Sequence, residues 1–377
     1  MRKLILAIGL ILVPGLVAPA GAFETTARQA ILVDDATGVV LFEKNADELM
    51  APSSMSKIMT VYMVFERLRD GGLEMADELP VSERAWRMGG SKMFIDVGSR
   101  VRVDDLLRGV IVQSGNDAAV ALAEGLSGSE EAFGDAMTER AHALGMTNST
   151  FRNASGWPDP QHLTTARDLA LLARQIVDHF PEYYPLFSET AFEYNGISQG
   201  NRNPLLYKNI GADGLKTGHT KAAGYGLTAS AVRDGRRLIL VVNGLDNVNV
   251  RSQEAERLLD WAFRETRNYQ LTRAGESVVD ADVWLGAADR VPLVTAEPLV
   301  VTLSREARKG MVVKAIFDGP IPAPIVKGTE VGRVVVSAPG YADVERPLLA
   351  GADVGELSTL RRLFAAATYL VWGSGGG

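Results

Sequence analysis

The order in which strand-like and helix-like segments follow one another constrains the fold of this chain most. Residues 29–44, QAILVDDATGVVLFEK, contain two β-rich runs on either side of the tetrapeptide DATG, a pattern that predicts a hairpin. Strand patterns return much later, in GLKTGHT, GYGLTASAV and RRLILVVNG, and Asp234-Gly235 between the last two is a strong two-residue turn signal. We therefore expect an antiparallel sheet assembled from both ends of this region.

Helical periodicity fills the part of the chain between these strands. Apolar residues recur there at helical spacing, and one more helix is expected to follow the last strand. The predicted helices are 55–68, 116–124, 130–144, 165–178 and 252–267. Helices packed on an antiparallel sheet make an α/β (α+β) domain, which we expect to span residues 23–272.

The sequence pattern changes near residues 272–275. Valine-rich runs such as LVVTLS, MVVKAIFD and GRVVVSA are then separated by Gly and Pro turns, which predicts a second, small all-β domain over residues 273–350. Residues 351–377 are expected to contain an amphipathic helix, from Glu356 to Trp372, and a flexible GSGGG end. This helix is expected to associate with a membrane surface; packing on the β domain or on a partner is the alternative.

The first 22 residues have the pattern of a secretory signal peptide. Two basic residues precede an apolar run from Leu4 to Ala18, and Ala20-Gly21-Ala22 fits a small-x-small cleavage site. A transmembrane anchor is the alternative, but Pro14 interrupts a run already shorter than the roughly 20 residues that a span needs. The mature protein is therefore expected to be exported.

Charge and cysteine content exclude several classes of function. The formal charge is −7, and removal of Arg2 and Lys3 with the signal peptide changes it to −9, so no nucleic-acid partner is expected. The chain has no cysteine, which excludes disulfides and thiol chemistry. Four scattered histidines without cysteines do not predict a metal site, and we expect no cofactor.

The stretch APSSMSK, residues 51–57, places a lysine three residues after a serine where a predicted helix begins. On a helix, Ser54 and Lys57 would be neighbours with Cβ atoms about 5–6 Å apart, close enough for an amine to take a hydroxyl proton. The alternative is a capped helix start with a solvated lysine. One S-x-x-K is weak support, because roughly half an occurrence is expected by chance in a chain of this composition.

Two further motifs strengthen the interpretation. QSGND contains Ser114-Gly115-Asn116, an S-x-N motif, and LKTGHT contains Lys216-Thr217-Gly218, a K-T-G motif. About 0.02 chance occurrences are expected for all three motifs together. With these three motifs in this order, the chain resembles the penicillin-recognising serine enzymes, and specifically the low-molecular-weight penicillin-binding proteins that act as D-alanyl-D-alanine carboxypeptidases.

The resemblance covers essentially the whole chain, because KTGHT, GGSKMF, the β-rich second domain and the amphipathic tail all recur in that family. It implies a serine β-lactamase/transpeptidase-like catalytic domain. The expected substrate is a peptidoglycan stem peptide ending in D-Ala-D-Ala, and β-lactam antibiotics are expected to bind covalently. The resemblance also implies that the loop GGSKMF, residues 89–94, lies at the mouth of the cleft.

The resemblance assigns roles to the residues of the first two motifs. Ser54 would be the nucleophile that forms an acyl-enzyme, and Lys57 its general base, made neutral by burial and by a second cation such as Lys216. Ser114 would pass the proton to the leaving amine, and Asn116 would orient Lys57 and the peptide. A capped helix start at Ser114 and Asn116 is compatible with these roles.

The third motif and its neighbour are expected to bind the substrate. Lys216 and Thr217 would meet the terminal carboxylate, and Gly218 would leave room for the peptide. The family pattern assigns the oxyanion hole to the backbone N–H groups of Ser54 and His219.

Three weaker assignments follow from the family pattern. Arg251 would bind the substrate carboxylate, the alternative being a surface charge at a helix start. Arg202 and His162 match residues at the edge of the substrate site, and a purely structural role is the alternative for both.

Three rival functions remain open at this stage. A class A β-lactamase shares the motifs, but the E-x-x-[LV]-N-type segment of that class is missing between Ser114 and Lys216. A D,D-endopeptidase acting on peptide cross-links would use the same groups. A non-catalytic, membrane-docked peptidoglycan-binding protein would not need a complete set of catalytic groups.

Overall fold

The structure is a computed structural model that describes residues 23–358. The predicted signal peptide, residues 1–22, and all but the first three residues of the predicted terminal helix lie outside the described residues. Within 23–358, no helix is both long and apolar enough to cross a membrane.

The strands of the first domain confirm the predicted antiparallel sheet. They are β1 (Gln29–Asp34), β2 (Val40–Lys44), β3 (Glu78–Pro80), β4 (Arg100–Arg102), β5 (Ala191–Tyr194), β6 (Ile197–Gly200), β7 (Ala212–Thr220), β8 (Gly224–Arg233) and β9 (Arg236–Leu245). The central sheet has the order β2-β1-β9-β8-β7 with every neighbouring pair antiparallel. The N-terminal hairpin therefore pairs with a strand that lies more than two hundred residues later. The β3–β4 and β5–β6 pairs are short additions that the periodicity did not predict.

The helices follow the predicted segments closely. They are α1 (Lys57–Arg69), α2 (Glu83–Arg87), α3 (Val103–Ile111), α4 (Asn116–Ser127), α5 (Glu130–Ala143), α6 (Ala166–His179) and α7 (Val248–Glu265). A 3-10 turn, Ser53–Ser56, precedes α1. Helices α2 and α3 were not predicted. Helix α7 begins four residues earlier than expected, because the side chain of Asn247 caps it by accepting the N–H of Val250 at 2.9 Å.

The central sheet has an apolar core on each face. The larger core contains buried residues of α1, α3, α4, α5 and α6, together with Ile31, Ile239 and Val241 from the sheet. The smaller core joins Leu32, Leu240 and other sheet residues to α7. The strand order leaves β7 at one edge of the sheet, where it contacts the 3-10 turn that precedes α1. The fold thus brings the segments of the first and third motifs together.

The second domain consists mainly of β-structure, as expected. Its elements are β10 (Thr266–Thr272), β11 (Ser277–Trp284), β12 (Arg290–Val294), β13 (Leu299–Ser304), α8 (Arg305–Lys309), β14 (Val312–Phe317), β15 (Ile321–Pro322), β16 (Glu330–Ser337) and β17 (Val344–Ala350). Six strands form a sheet in the order β14-β16-β17-β12-β11-β15, and β10 pairs with β13. Pairing with the second domain therefore begins at Thr266, ahead of the boundary expected near residue 272.

The chain remains extended beyond β17. Val354 bridges to Ile325, and Glu356 bridges to Gly286. The N–H of Leu357 donates to the carbonyl of Leu285 at 2.9 Å. The expected start of a helix at Glu356 was therefore wrong, since Glu356 and Leu357 belong to the β domain.

Candidate active site

Ser54 and Lys57 lie where the 3-10 turn becomes α1. Lys57 is completely buried, and its Nζ makes three hydrogen bonds. It donates to Asn116 Oδ1 at 2.7 Å and to the carbonyl oxygen of Ser155 at 2.7 Å, and it lies within hydrogen-bond distance of Ser54 Oγ, at 3.0 Å. The first two motifs therefore meet at one nitrogen, and the solvated-lysine alternative is excluded.

The surroundings of Lys57 favour its neutral form. Burial, followed by the nearby charge of Arg202, lowers the pKa of Lys57 to about 7, whereas Asp117 and Glu130 act in the opposite direction. Arg202 therefore acts as a nearby cation besides the expected Lys216. Like charges repel mutually, and the charge of Lys57 is among the causes that lower the pKa of Lys216.

The second motif forms the start of α4. Ser114 has a φ of 60°, in the left-handed region, and is buried beside the cleft. Gly115 occupies the capping position without a side-chain hydrogen bond, so neither motif side chain caps the helix as the alternative interpretation proposed. Asn116 Nδ2 instead donates to the carbonyl of Gly89 at 2.7 Å. The amide of Asn116 thus links Lys57 to the 89–94 loop.

Asp117 anchors the 89–94 loop. Its buried carboxylate accepts the N–H groups of Met93 and Phe94, each at 2.8 Å, and that of Ala118 at 2.9 Å. Ser91 in the same loop accepts the N–H of Asn116 on its carbonyl at 2.8 Å. Sequence reasoning missed Asp117, although an acidic residue directly after an S-x-N motif was visible.

A turn at residues 153–157 supplies the third partner of Lys57. Asn153 Oδ1 accepts the N–H groups of Gly156 at 2.8 Å and Trp157 at 2.9 Å. The turn directs the carbonyl of Ser155 at Lys57. Gly156 has a φ of +76°, and a Cβ there would lie 1.8 Å from the carbonyl oxygen of Ser53, so only glycine fits. Sequence reasoning missed this turn as well.

The third motif lies on β7. Lys216 is buried and donates a long hydrogen bond of 3.4 Å to the carbonyl of Thr217. Burial first of all holds the pKa of Lys216 well below the usual range. A Cβ on Gly218 would lie 2.7 Å from the carbonyl oxygen of Pro52. Close packing of β7 on the 3-10 turn therefore requires a glycine here, and the clearance for a peptide stays a prediction.

A cavity of about 400 Å³ opens beside Ser54. Seven of the predicted residues line it: Ser54, Ser114, Arg202, Thr217, Gly218, His219 and Arg251. The exposed imidazole of His219 stacks on Tyr225, with ring centroids 3.9 Å apart. The structure thus joins all three motifs and both predicted arginines in one cleft.

The two arginines hold different positions in this cleft. Arg202 bonds Ser91 of the 89–94 loop through its guanidinium. Arg251 lies in the first turn of α7 but is buried, which excludes the surface-charge alternative, and burial lowers its pKa to about 10. Its guanidinium lies over the ring of Tyr225, and its Nε has no hydrogen-bond partner in the described structure. An incompletely bonded buried guanidinium is prepared to bind an anion.

His162 does not line the cleft. It is buried behind the 3-10 turn, where its Nδ1 accepts the N–H of Arg152 at 3.2 Å and its Nε2 lies 2.7 Å from Ser56 Oγ. Because Nδ1 accepts, Nε2 carries the proton and donates to Ser56. Burial lowers the pKa of His162 to about 4. His162 lines a cavity next to the cleft, and its contact with substrate stays a prediction.

A family model of D-alanyl-D-alanine carboxypeptidase, peptidase S11, matches residues 17–247. The chain belongs to this family. In this S11 peptidase, the second domain matches the C-terminal domain of penicillin-binding protein 5 over residues 267–356.

Individual relatives agree with the family match. The D-alanyl-D-alanine carboxypeptidase DacC of Escherichia coli is 40% identical over 338 residues, which cover 88% of this chain and 84% of DacC. The crystal structure of penicillin-binding protein 5 from Haemophilus influenzae superposes with a TM-score of 0.81 at 36% identity, covering 89% of this chain and 100% of that one. Penicillin-binding protein D2 of Listeria monocytogenes, in an ampicillin-bound form, has a TM-score of 0.60 at 30% identity and covers 65% of this chain and 100% of its own.

Proposed function

We propose that this protein removes the terminal D-alanine from peptidoglycan stem peptides through an acyl-enzyme on Ser54. The observation that carries the proposal is the hydrogen bonding of Lys57 Nζ. Asn116 Oδ1 and the Ser155 carbonyl can only accept, so they take the two N–H bonds of a neutral amine. The lone pair is then left for the Ser54 hydroxyl, 3.0 Å away. This is the arrangement that a general base requires.

The two chemical steps follow from this geometry. The Ser54 proton moves to Lys57 as Oγ bonds to the carbonyl carbon between the two D-alanines. The N–H groups of Ser54 and His219 stabilise the oxyanion. Collapse of the tetrahedral intermediate breaks the C–N bond, and the leaving amine takes the proton that Ser114 relays from Lys57. Lys57 then deprotonates a water that attacks the ester carbonyl, and it returns that proton to Ser54 Oγ as the ester bond breaks and the shortened peptide leaves.

Recognition of the substrate carboxylate separates a carboxypeptidase from a cross-link endopeptidase. Arg251 lines the cleft with an unpartnered Nε, and Thr217 lies on the same lining. A guanidinium in this environment favours a free terminal carboxylate. Arg251→Ala should therefore lower turnover of Ala-D-Ala-D-Ala peptides with a free carboxylate more than turnover of the amidated peptides. Equal losses on both substrates would favour the endopeptidase alternative.

The acyl-enzyme is tested with a penicillin, whose strained β-lactam mimics the acyl-D-Ala-D-Ala group. Mass spectrometry should detect one covalent adduct per chain, mapped to Ser54, and Ser54→Ala should abolish it. The exposed Ser188 provides a matched control, since Ser188→Ala should keep the adduct. Adduct formation that persists in Ser54→Ala would overturn the assignment.

We further propose export by the signal peptide and peripheral attachment to the periplasmic face of the inner membrane through residues after 358. Val354 and Glu356 pair within the β domain, so a deletion that tests the anchor must spare them. Truncation after Ser358 should move the protein from the membrane fraction to the soluble periplasm and leave penicillin acylation intact. A full-length protein that is already soluble would contradict membrane attachment.

A further inference from the structure

Arg251, which the proposed function assigns to the substrate carboxylate, has few polar partners in the protein. Its side chain lies in the cleft wall, and the residue is only 5% exposed. Nη1 donates a long hydrogen bond of 3.5 Å to the carbonyl of Gly226, and Nε has no hydrogen-bond partner in the described structure. Within residues 23–358, no carboxylate forms an ion pair with this guanidinium. Polar contacts alone therefore do not explain how Arg251 keeps its position.

The aromatic ring of Tyr225 lies next to the guanidinium and also lines the cleft. Arg251 Cζ is 5.8 Å from the ring centroid, within the distance of about 6 Å at which a cation–π attraction acts. Tyr225 is paired across the sheet with His219 of β7. The imidazole of His219 stacks on the ring, with 27° between the two planes. Tyr225 thus contacts both the residue assigned to the oxyanion hole and the residue assigned to the carboxylate.

A second arginine–tyrosine pair in the same domain has a partner that Arg251 lacks. Arg237 Cζ lies 4.9 Å from the ring centroid of Tyr184, and Arg237 Nη2 also pairs with Asp213 at 2.8 Å. The carboxylate of Asp213 neutralises that guanidinium. At Arg251 the ring attracts the cation and no carboxylate neutralises it, so its charge stays available for an anion.

We propose that Tyr225 is a positioning residue, whose ring holds the Arg251 guanidinium in the cleft and thereby sets the preference for a free terminal carboxylate. This inference rests on the proposed carboxypeptidase function and adds a specificity-determining residue to it. An acidic side chain at this place would also hold the guanidinium, but it would compete with the substrate carboxylate. The role requires only the aromatic ring, so phenylalanine should be able to replace tyrosine.

The test compares acetyl-alanyl-D-Ala-D-Ala with its C-terminal amide by kcat/KM. The wild-type enzyme should prefer the free acid. Tyr225→Leu should lower this preference by about thirtyfold, the order expected for a cation–π contact shielded from water. Turnover of the amide should change little, because the amide has no charge for Arg251 to bind. Tyr225→Phe keeps the ring and should keep the wild-type preference.

The β domain offers a matched control, because Arg308 Cζ lies 4.1 Å from the ring centroid of Tyr269. Tyr269→Leu removes the ring of a similar pair and should leave the preference unchanged. A double-mutant cycle covers the case in which Tyr225→Leu disturbs β8. In an Arg251→Ala background, Tyr225→Leu should no longer alter the preference, because the ring acts through the guanidinium.

The outcomes separate the role of Tyr225 from the proposed function. A preference that Tyr225→Leu retains, a preference that Tyr225→Phe loses, or an equal loss on both peptides would overturn the assignment of Tyr225 alone. An undiminished effect of Tyr225→Leu in the Arg251→Ala background would overturn it as well. A wild-type enzyme that hydrolyses neither peptide and forms no penicillin adduct at Ser54 would overturn the proposed function.

Discussion

The interiors of the two domains differ in the charge that they contain. In the catalytic domain, Lys57, Lys216, Arg251 and Asp117 are all buried near the cleft. Within the described residues 273–358, the buried polar residues are uncharged threonines, Thr295 and Thr302. Buried charges oppose folding unless they are paired and hydrogen-bonded. The comparison indicates that the catalytic domain retains costly groups for chemistry, whereas the β domain is built for packing alone.

The largest effect is expected when the buried base, Lys57, is replaced by a permanent cation. Lys57→Arg should lower penicillin acylation and peptide turnover by about a thousandfold or more, because arginine does not deprotonate in the working pH range. Stopped-flow acylation measures the loss, and circular dichroism checks the fold. A folded Lys57→Arg enzyme with near-normal rates would show that Lys57 is a structural cation.

Lys216 provides a second test of the difference between the two domains, because its amine is buried and its hydrogen bond to the Thr217 carbonyl is long. Lys216→Met should reduce acylation by roughly a hundredfold and raise the free energy of unfolding by about 1–2 kcal/mol, since an apolar side chain removes the desolvation cost. Urea titration followed by tryptophan fluorescence measures the second effect. If Lys216→Met were destabilising, the cost assigned to this buried charge would be wrong.

Asp117 tests whether a buried charge can serve structure and chemistry together. Asp117→Asn should destabilise the fold by about 1–3 kcal/mol, because the carboxylate accepts four backbone N–H groups. The charge of Asp117 raises the pKa of Lys57, so its removal should move the midpoint of the acylation pH profile to lower pH. The profile is recorded for wild type and variant at one ionic strength. A shift to higher pH would contradict the electrostatic role.

In the β domain, a core substitution should lower stability without lowering activity. Val334 is fully buried, and Val334→Ala should lower the free energy of unfolding of this domain by about 1–3 kcal/mol, while acylation of Ser54 stays within twofold of wild type. Calorimetry and a penicillin acylation assay on the same sample measure both quantities. A large loss of acylation would mean that the two domains are coupled and that the comparison is too simple.

The features that could be predicted from the sequence are those that depend on local patterns. Ser54 and Lys57 are neighbours on one turn, and the Asp234-Gly235 turn fixes the β8–β9 hairpin, so both were predictable. The Ser155 carbonyl accepts a hydrogen bond from Lys57, which lies 98 residues earlier in the chain. The sequence around Ser155 has no pattern that predicts this contact. The early start of the β domain depends on pairing between Thr266 and Ser304. The burial of His162 could not be predicted, because it follows from the folding of a loop that has no periodic pattern.

The central claim is that Lys57 acts as a neutral base next to Ser54, and the pH dependence of acylation tests it most directly. Burial lowers the pKa of Lys57 to about 7, so the ammonium form should predominate below that pH and the active amine above it. The acylation rate constant, measured by stopped flow with a penicillin under conditions in which acylation is rate-limiting, should rise about tenfold per pH unit below pH 7 and level off above it. A flat profile from pH 5 to 10, or a midpoint near the ordinary lysine pKa of about 10.4, would contradict the account.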